Sequence, residues 1–116
     1  MNKIILSGNV GREPEMRFTP AGRPVADFSL AVSGYKKDDP PTWFKVICWG
    51  KTAEFVNQYI VKGSKVLVDG SIGLEEWEGE QGKRSQLAVT ASNVEPQTWA
   101  TKEEQANDIE LEDRPF

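Results

Sequence analysis

Tryptophan and lysine alternate in one short stretch of this sequence, and their spacing suggests a binding surface. Residues 43–50 read Trp-Phe-Lys-Val-Ile-Cys-Trp-Gly. Because successive side chains of a β-strand point to opposite faces, the apolar alternate positions are predicted to face the core: Phe44, Val46 and Cys48. The opposite face then carries a lysine between two tryptophans: Trp43, Lys45 and Trp49.

Two further aromatic side chains are out of phase with the core in the same way. Tyr35 ends the second predicted strand on its polar side, and Trp77 continues the polar side of the fourth. Aromatic platforms interleaved with basic residues suit single-stranded nucleic acid, where each stacked base contributes roughly 1–3 kcal/mol and lysines neutralise phosphates. Taken singly, each tryptophan could equally cover a neighbouring element or an oligomer contact. Together with Lys3, Lys45 and Lys51, the four favour a nucleic-acid interface.

Most catalytic and metal chemistry is disfavoured by composition. The 116 residues include no histidine and one cysteine, so the commonest general base, an intrachain disulfide and a thiolate zinc site are all missing. Cys48 is predicted to be a small buried hydrophobe. The carboxylates at 38–39 and 75–80 lack the spacing of a cation cage and are interpreted as solvated charge. We therefore expect a protein without catalytic residues, metal or cofactor.

The remaining sequence predicts elements that would position this face. Alternating runs cover residues 3–10, 26–35, 43–50, 65–75 and 87–91, and the period changes to helical after residue 51. Four phenylalanines are predicted to lie in the core or its wall: Phe18, Phe28, Phe44 and Phe55. Five strands with one short helix between strands 3 and 4 predict an all-β fold, the Greek-key barrel called the oligonucleotide/oligosaccharide-binding (OB) fold. Other small barrels share this alternation.

Charge divides the chain into two parts. The net charge is −4, yet residues 1–99 hold 12 basic and 12 acidic side chains, whereas the last 17 residues hold 2 and 6. Large apolar residues also become rare after residue 97, which is typical of a disordered segment. We predict a folded domain over residues 1–97 and a disordered acidic tail over residues 98–116.

The first residues indicate where the protein works. The apolar run at residues 4–6 is too short for the core of a signal peptide. We expect a cytoplasmic protein; an organellar matrix also fits, because a cleaved transit peptide leaves no trace in the mature chain.

Long stretches of the chain resemble bacterial-type single-stranded DNA-binding proteins. The matching text is NKIILSGNVGREPEMRFTPAG, VADFSLAVSG and TWFKVICWGKTAEFVNQYIVKGSKVLVDGSI, followed by an acidic tip that ends in Pro115-Phe116. The resemblance implies an OB-fold, a homotetramer and no enzymatic activity. It also implies sequence-independent binding and protection of single-stranded DNA during replication, recombination and repair. The protein would then be located at the nucleoid.

The resemblance also assigns roles by position. The family's base-stacking aromatics fall on Tyr35, Trp43, Trp49 and Trp77, and its phosphate-contacting basic residues fall on Lys3, Lys45, Lys51 and Lys62. The family's tip recruits genome-maintenance proteins, with the last phenylalanine in an apolar pocket and carboxylates against basic residues. Here those positions are Asp108, Glu110, Glu112, Asp113, Pro115 and Phe116.

One departure from the family concerns the surroundings of Trp77. Four carboxylates surround Trp77 where relatives often carry basic residues, and they should repel phosphates: Glu75, Glu76, Glu78 and Glu80. The alternative function is that of an OB-fold adaptor of a primosome type, which docks proteins and has only weak strand affinity.

Overall fold

A computed structural model describes residues 1–97, which form six β-strands and one helix. In chain order these are β1 (Ile4–Val10), β2 (Glu15–Phe18), β3 (Pro24–Val32), β4 (Thr42–Trp49), α1 (Gly50–Tyr59), β5 (Lys65–Gly79) and β6 (Gly82–Pro96). The predictions for residues 98–116 lie outside the described part of the chain. No helix within residues 1–97 is long and apolar enough to cross a membrane.

Five of these strands close into a barrel. β1 pairs with β5, β5 with β6 and β3 with β4 in antiparallel fashion, while β4 and β6 run parallel. A short antiparallel contact between β1 and β3, at Asn9↔Ala31 and Val10↔Leu30, closes the ring. α1 joins the third and fourth barrel strands, β4 and β5. The predicted five-stranded OB-fold barrel with one helix is therefore confirmed.

β2 is a strand that the alternation did not predict. It is four residues long and pairs with the first half of β3, from Glu15↔Asp27 to Phe18↔Pro24. Met16 packs against the core, but Phe18 lies opposite the first residue of β3, past the end of the barrel, and is 63% exposed. The prediction that Phe18 belongs to the core or wall was wrong for this reason.

The core lies inside the barrel and beneath α1. Phe28 and Leu30 of β3 and Val46 of β4 are fully buried in the core, and Phe44 and Cys48 are buried as predicted. Each large apolar side chain buried in this way contributes about 1.5–3 kcal/mol. α1 covers the barrel with its own buried residues, Ala53 and Val56, and with Ile60 just after it. The rings of Phe55 and Tyr59 contact each other on α1 in a tilted arrangement, with centroids 5.0 Å apart.

β5 and β6 extend beyond the barrel as a hairpin that we call the arm, residues 73–87. The two strands pair from Val66↔Pro96 to Gly79↔Gly82, but β1 covers β5 only as far as Gly70. Leu74 and Leu87 continue the core-facing side yet are 57% and 36% exposed, because the barrel ends before them.

Two local features shape the base of the arm. The pairing of β5 with β6 shifts register at a β-bulge between Asp69 and Gly70. A Cβ on Gly70 would collide with the backbone of Thr90, as expected for a glycine at a barrel bend. The side chain of Asn2 extends the β1 ladder: its Nδ2 donates to the Ile72 carbonyl at 2.7 Å, and its Oδ1 accepts from the Ile72 N–H at 3.0 Å.

Candidate nucleic-acid interface

The outer surfaces of β3 and β4 form one face, which carries the predicted aromatic and basic residues of β4. Their antiparallel register pairs Trp43 with Ala31, Lys45 with Ser29, Ile47 with Asp27 and Trp49 with Val25. Cross-strand partners lie on the same side of a sheet. Both tryptophans and the lysine therefore share this outer face, as predicted. The side chains opposite Trp43 and Lys45 are small, which leaves the Trp43 ring 54% exposed.

The ring of Trp43 packs against the backbone of Gly11. A Cβ on Gly11 would collide with the six-membered ring of Trp43, and the hydroxyl of Ser29 lies nearby. The missing side chain lets the loop after β1 lie directly against the ring. Trp43 therefore has a packed side and a solvent-facing side, which is the geometry of a stacking platform.

Trp49, at the other end of β4, is paired with a cation. The guanidinium carbon of Arg23 lies 4.8 Å from the centroid of the Trp49 ring, within the range of a cation–π contact. Trp49 is half-buried and immediately precedes α1. Arg23 was not among the predicted site residues, because it lies in the turn before β3 and only the fold brings it over the ring.

Between Trp43 and Trp77 lies a polar triad. Lys45 Nζ is 3.4 Å from Glu75 Oε2, and Gln86 Nε2 donates to the same oxygen at 3.1 Å. The Gln86 hydrogen bond first, and Lys45 second, lower the pKa of Glu75, so this carboxylate stays ionised at neutral pH. Lys45 and Gln86 line two hollows. One also contains Trp43, and the other contains Trp77 with Glu75 and Glu76. The outer face therefore continues from β4 onto the arm.

Trp77 shares its side of the arm with a basic residue rather than with a row of carboxylates. It is 44% exposed and pairs with Arg84, whereas Glu78 pairs with Lys83 and Glu76 with Ser85. Strand alternation places Glu76 and Glu78 on the opposite side from Trp77. Of the carboxylates on β5 that were expected to repel phosphates beside Trp77, Glu75 and Glu76 line the hollow next to it, whereas Glu78 does not. Arg84 could have been found by pairing the two strands across the turn at residues 80–81.

The other four predicted residues lie elsewhere on the surface. Lys3 forms an ion pair with Asp69 of β5, with Nζ 2.6 Å from Oδ1. Lys51 is exposed in the first turn of α1, and Lys62 is exposed between α1 and β5. Tyr35 is fully exposed in the loop between β3 and β4. The structure thus brings Trp43, Lys45, Trp49 and Trp77 onto one face and leaves Lys3, Lys51, Lys62 and Tyr35 around it.

Two buried groups lie beneath the outer face. Asp27 is 7% exposed and contacts the guanidinium groups of Arg12 and Arg17. Alternation placed Asp27 on the polar face of its strand and did not predict that it is buried. Cys48 is fully buried, and burial first, with the charge of Asp27 second, raises its pKa to about 12. The thiol therefore stays protonated, in agreement with the predicted role of a small hydrophobe.

Comparison with known sequences points to one family. The model of the single-strand binding protein family matches residues 1–97. The single-stranded DNA-binding protein 1 of Synechocystis sp. is 38% identical over 99 residues, which cover 82% of each chain. The single-stranded DNA-binding protein of Wolinella succinogenes is 40% identical over 101 residues, which cover 81% of this chain and 62% of that one.

Solved structures show the same architecture. A crystal structure of a deletion mutant of the single-stranded DNA-binding protein from Thermus aquaticus superposes with a TM-score of 0.69 at 29% identity, covering 86% of this chain and 42% of that one. The single-strand binding domain of a Synechococcus protein superposes with a TM-score of 0.66 at 23% identity, covering 82% of this chain and 94% of that one.

Proposed function

We propose that this chain, which belongs to the single-strand binding protein family, binds and protects single-stranded DNA without regard to sequence. Members of this family bind DNA and catalyse no reaction, so the activity to measure is binding. Bases stack on Trp43, Trp49 and Trp77, and nearby lysines neutralise phosphates. Tyr35 and the outlying lysines at 3, 51 and 62 extend the path of the strand around the barrel.

The observation that carries this proposal is the outer face of β4. Trp43 is exposed, is packed on one side against Gly11, and has Lys45 two residues away on the same face. An aromatic ring offers a π-face to every base, so such a surface has no need of a particular sequence. The continuation of this face to Trp77 provides a second platform on the arm.

The ion pairs on the surface set the balance between stacking and charge. Lys45 is already paired with Glu75, and Lys3 with Asp69. Partly exposed pairs of this kind contribute about 0–1 kcal/mol, less than one stacked base, so a phosphate can displace the carboxylate at small cost. We infer that stacking supplies most of the affinity and that salt weakens binding less than in a strongly basic protein.

Titration with oligothymidine tests the function. Stacking of bases on tryptophan should quench the intrinsic fluorescence strongly at low salt. Absence of quenching at low salt, with no binding seen by anisotropy of a labelled strand, would contradict the proposal.

The same neutral surface favours the alternative, an adaptor that docks proteins and has weak strand affinity. Salt separates the two functions. Counterion release lowers the logarithm of DNA affinity by about 0.7 per phosphate contact for each tenfold rise in salt, whereas an apolar protein contact has no such slope.

We further propose the features of the whole protein that the resemblance implies. The chain acts in replication, recombination and repair, in the cytoplasm at the nucleoid, as a homotetramer. Its tail, residues 98–116, recruits genome-maintenance proteins through the tip, with the carboxylates Asp108, Glu110, Glu112 and Asp113 beside the terminal Pro115-Phe116. Sedimentation of the full chain with and without a long oligothymidine measures assembly and stoichiometry together.

A further inference from the structure

Asp27 has an unusual place for a charged side chain. Among residues 1–97 it is the one charged residue that is buried, and it lies in the wall of the barrel on β3. A buried charge destabilises a protein by several kcal/mol unless it is paired and hydrogen-bonded. The ion pairs that Asp27 forms therefore account for a carboxylate at this position.

Asp27 holds two arginines from different segments. Arg12 Nη2, from the loop after β1, is 3.5 Å from Asp27 Oδ1, and Arg17 Nη1, from β2, is 3.3 Å from Oδ2. The arginine side chains are 47% and 58% exposed, whereas that of Asp27 is 10% exposed. One buried anion therefore anchors two cations at the surface, and the exposed Glu15 lies opposite Asp27 on β2. Each guanidinium carries five N–H donors, and most of them remain available.

The position of this group relates it to the two tryptophans of β4. Arg12 and Asp27 line the same hollow as Trp43 and Lys45. Asp27 pairs across the sheet with Ile47, which lies between Lys45 and Trp49 on the outer face. Arg17 pairs with Val25, whose other neighbour is Trp49. The two guanidinium groups therefore lie alongside the stretch of β4 that separates the stacking platforms.

We propose that Arg12 and Arg17 form a phosphate-binding site for the strand that stacks on Trp43 and Trp49, and that Asp27 is the positioning residue for both. The proposal rests on the proposed function. A strand that stacks bases at both ends of β4 must carry its phosphates past the segment in between. Guanidinium groups suit this role because their planar donors form paired hydrogen bonds with phosphate oxygens.

Salt dependence tests the site itself. Arg12→Gln and Arg17→Gln are each expected to lower the slope of log affinity against log salt by about 0.7, the loss of one phosphate contact on a single strand. The matched control is Lys83→Gln, which removes the same charge from the other side of the arm. Slopes of both arginine variants that equal that of the control would overturn the proposal.

Asp27→Asn tests positioning, because two explanations predict opposite signs. If the carboxylate merely repels DNA, its removal makes the surface more positive and binding at low salt becomes tighter. If it positions the arginines, binding becomes weaker and the salt slope falls despite the added positive charge. Asp27→Glu restores the carboxylate and is expected to restore the slope. Tighter binding by Asp27→Asn would overturn the positioning role.

Two controls keep these outcomes separate. Circular dichroism melting gives the temperature below which every variant is folded, and the salt slopes are compared below it. Because Arg12 and Arg17 are exposed, their variants decide the phosphate site independently of Asp27→Asn, which decides the positioning role. Failure of the unmodified chain to bind oligothymidine would contradict the proposed function. Normal binding by that chain, with unchanged slopes in both arginine variants, would contradict only this further site.

Discussion

Trp43 and Phe18 are both large, exposed aromatic residues, but their surroundings differ. Trp43 has Lys45 beside it on the outer face and Gly11 behind it, whereas Phe18 lies past the end of the barrel on the core-facing side of β2. Exposed apolar area alone says little about function, because much of any protein surface is apolar. The combination of an exposed ring that packs against Gly11 with a nearby cation is what distinguishes Trp43.

Trp43→Ala therefore should weaken oligothymidine binding by about 1–3 kcal/mol, the contribution of one stacked base. The melting temperature should change little, since the ring is 54% exposed. Anisotropy of a labelled strand measures affinity without relying on tryptophan emission. Phe18→Ala is the matched control, and equal losses in the two variants would argue against stacking on Trp43.

Glu75 is the carboxylate that lies between two platforms, and its removal should improve binding. Glu75→Gln is expected to tighten binding at low salt by about threefold, or ~0.6 kcal/mol, the repulsion between unit charges about 7 Å apart in water. Glu78→Gln removes the same charge from the other side of the arm, outside the hollow that Glu75 lines, and should have a smaller effect. Equal effects of both variants would mean that only net charge matters.

The lowered pKa of Glu75 also predicts a pH dependence. A carboxyl group with a depressed folded-state pKa stabilises the fold above its unfolded-state pKa and loses that contribution as pH falls through the folded-state value. Glu75→Gln should therefore be less stable than the unmodified chain at neutral pH, with the difference vanishing in acid. Thermal melts from pH 7 down to pH 3 measure this, and a constant difference would contradict it.

At the scale of elements, the arm separates binding from stability. Trp77 lies where β5 and β6 have left the barrel, so Trp77→Ala should leave the melting temperature nearly unchanged. It should still weaken binding by about 1 kcal/mol if a base stacks there beside Arg84. A variant that binds like the unmodified chain would remove the arm from the interface, and one that melts much earlier would show that the arm supports the barrel.

The elements also show what sequence patterns can and cannot reveal. Alternation identified β4 and both of its faces, because one face is uniformly apolar. It missed β2, because a strand of four residues is too short to show a clear alternation. It also could not place Glu76 and Glu78 relative to Arg84, because that requires the register between β5 and β6. Arg23 over Trp49 and the pair of arginines around Asp27 are long-range contacts, and no local period encodes them.

At the scale of the whole molecule, charge is distributed unevenly along the chain. Residues 1–99 are neutral, and the net −4 belongs to the last 17 residues. A strand approaching the outer face therefore meets no strong repulsion from the barrel, while the tail carries charge of the same sign as DNA.

Removal of residues 108–116 should accordingly raise DNA affinity at low salt, because the carboxylates of a short tail compete with phosphates for the same cations. The difference should shrink as salt rises and screens the tail. Binding to partner proteins should be lost, while the melting temperature of the barrel stays the same. Unchanged low-salt affinity after truncation would show that the tail does not compete.

The amide side chain of Asn2 has a consequence for how the molecule avoids unwanted association. Beyond Gly70, β5 has lost its neighbour β1, and an open strand edge is a template for strands from other molecules. Asn2 occupies both hydrogen-bonding groups of Ile72 at the start of this edge. The side chain of Asn2 thus occupies the two backbone groups of Ile72 that a strand from another molecule would need for pairing where the arm begins.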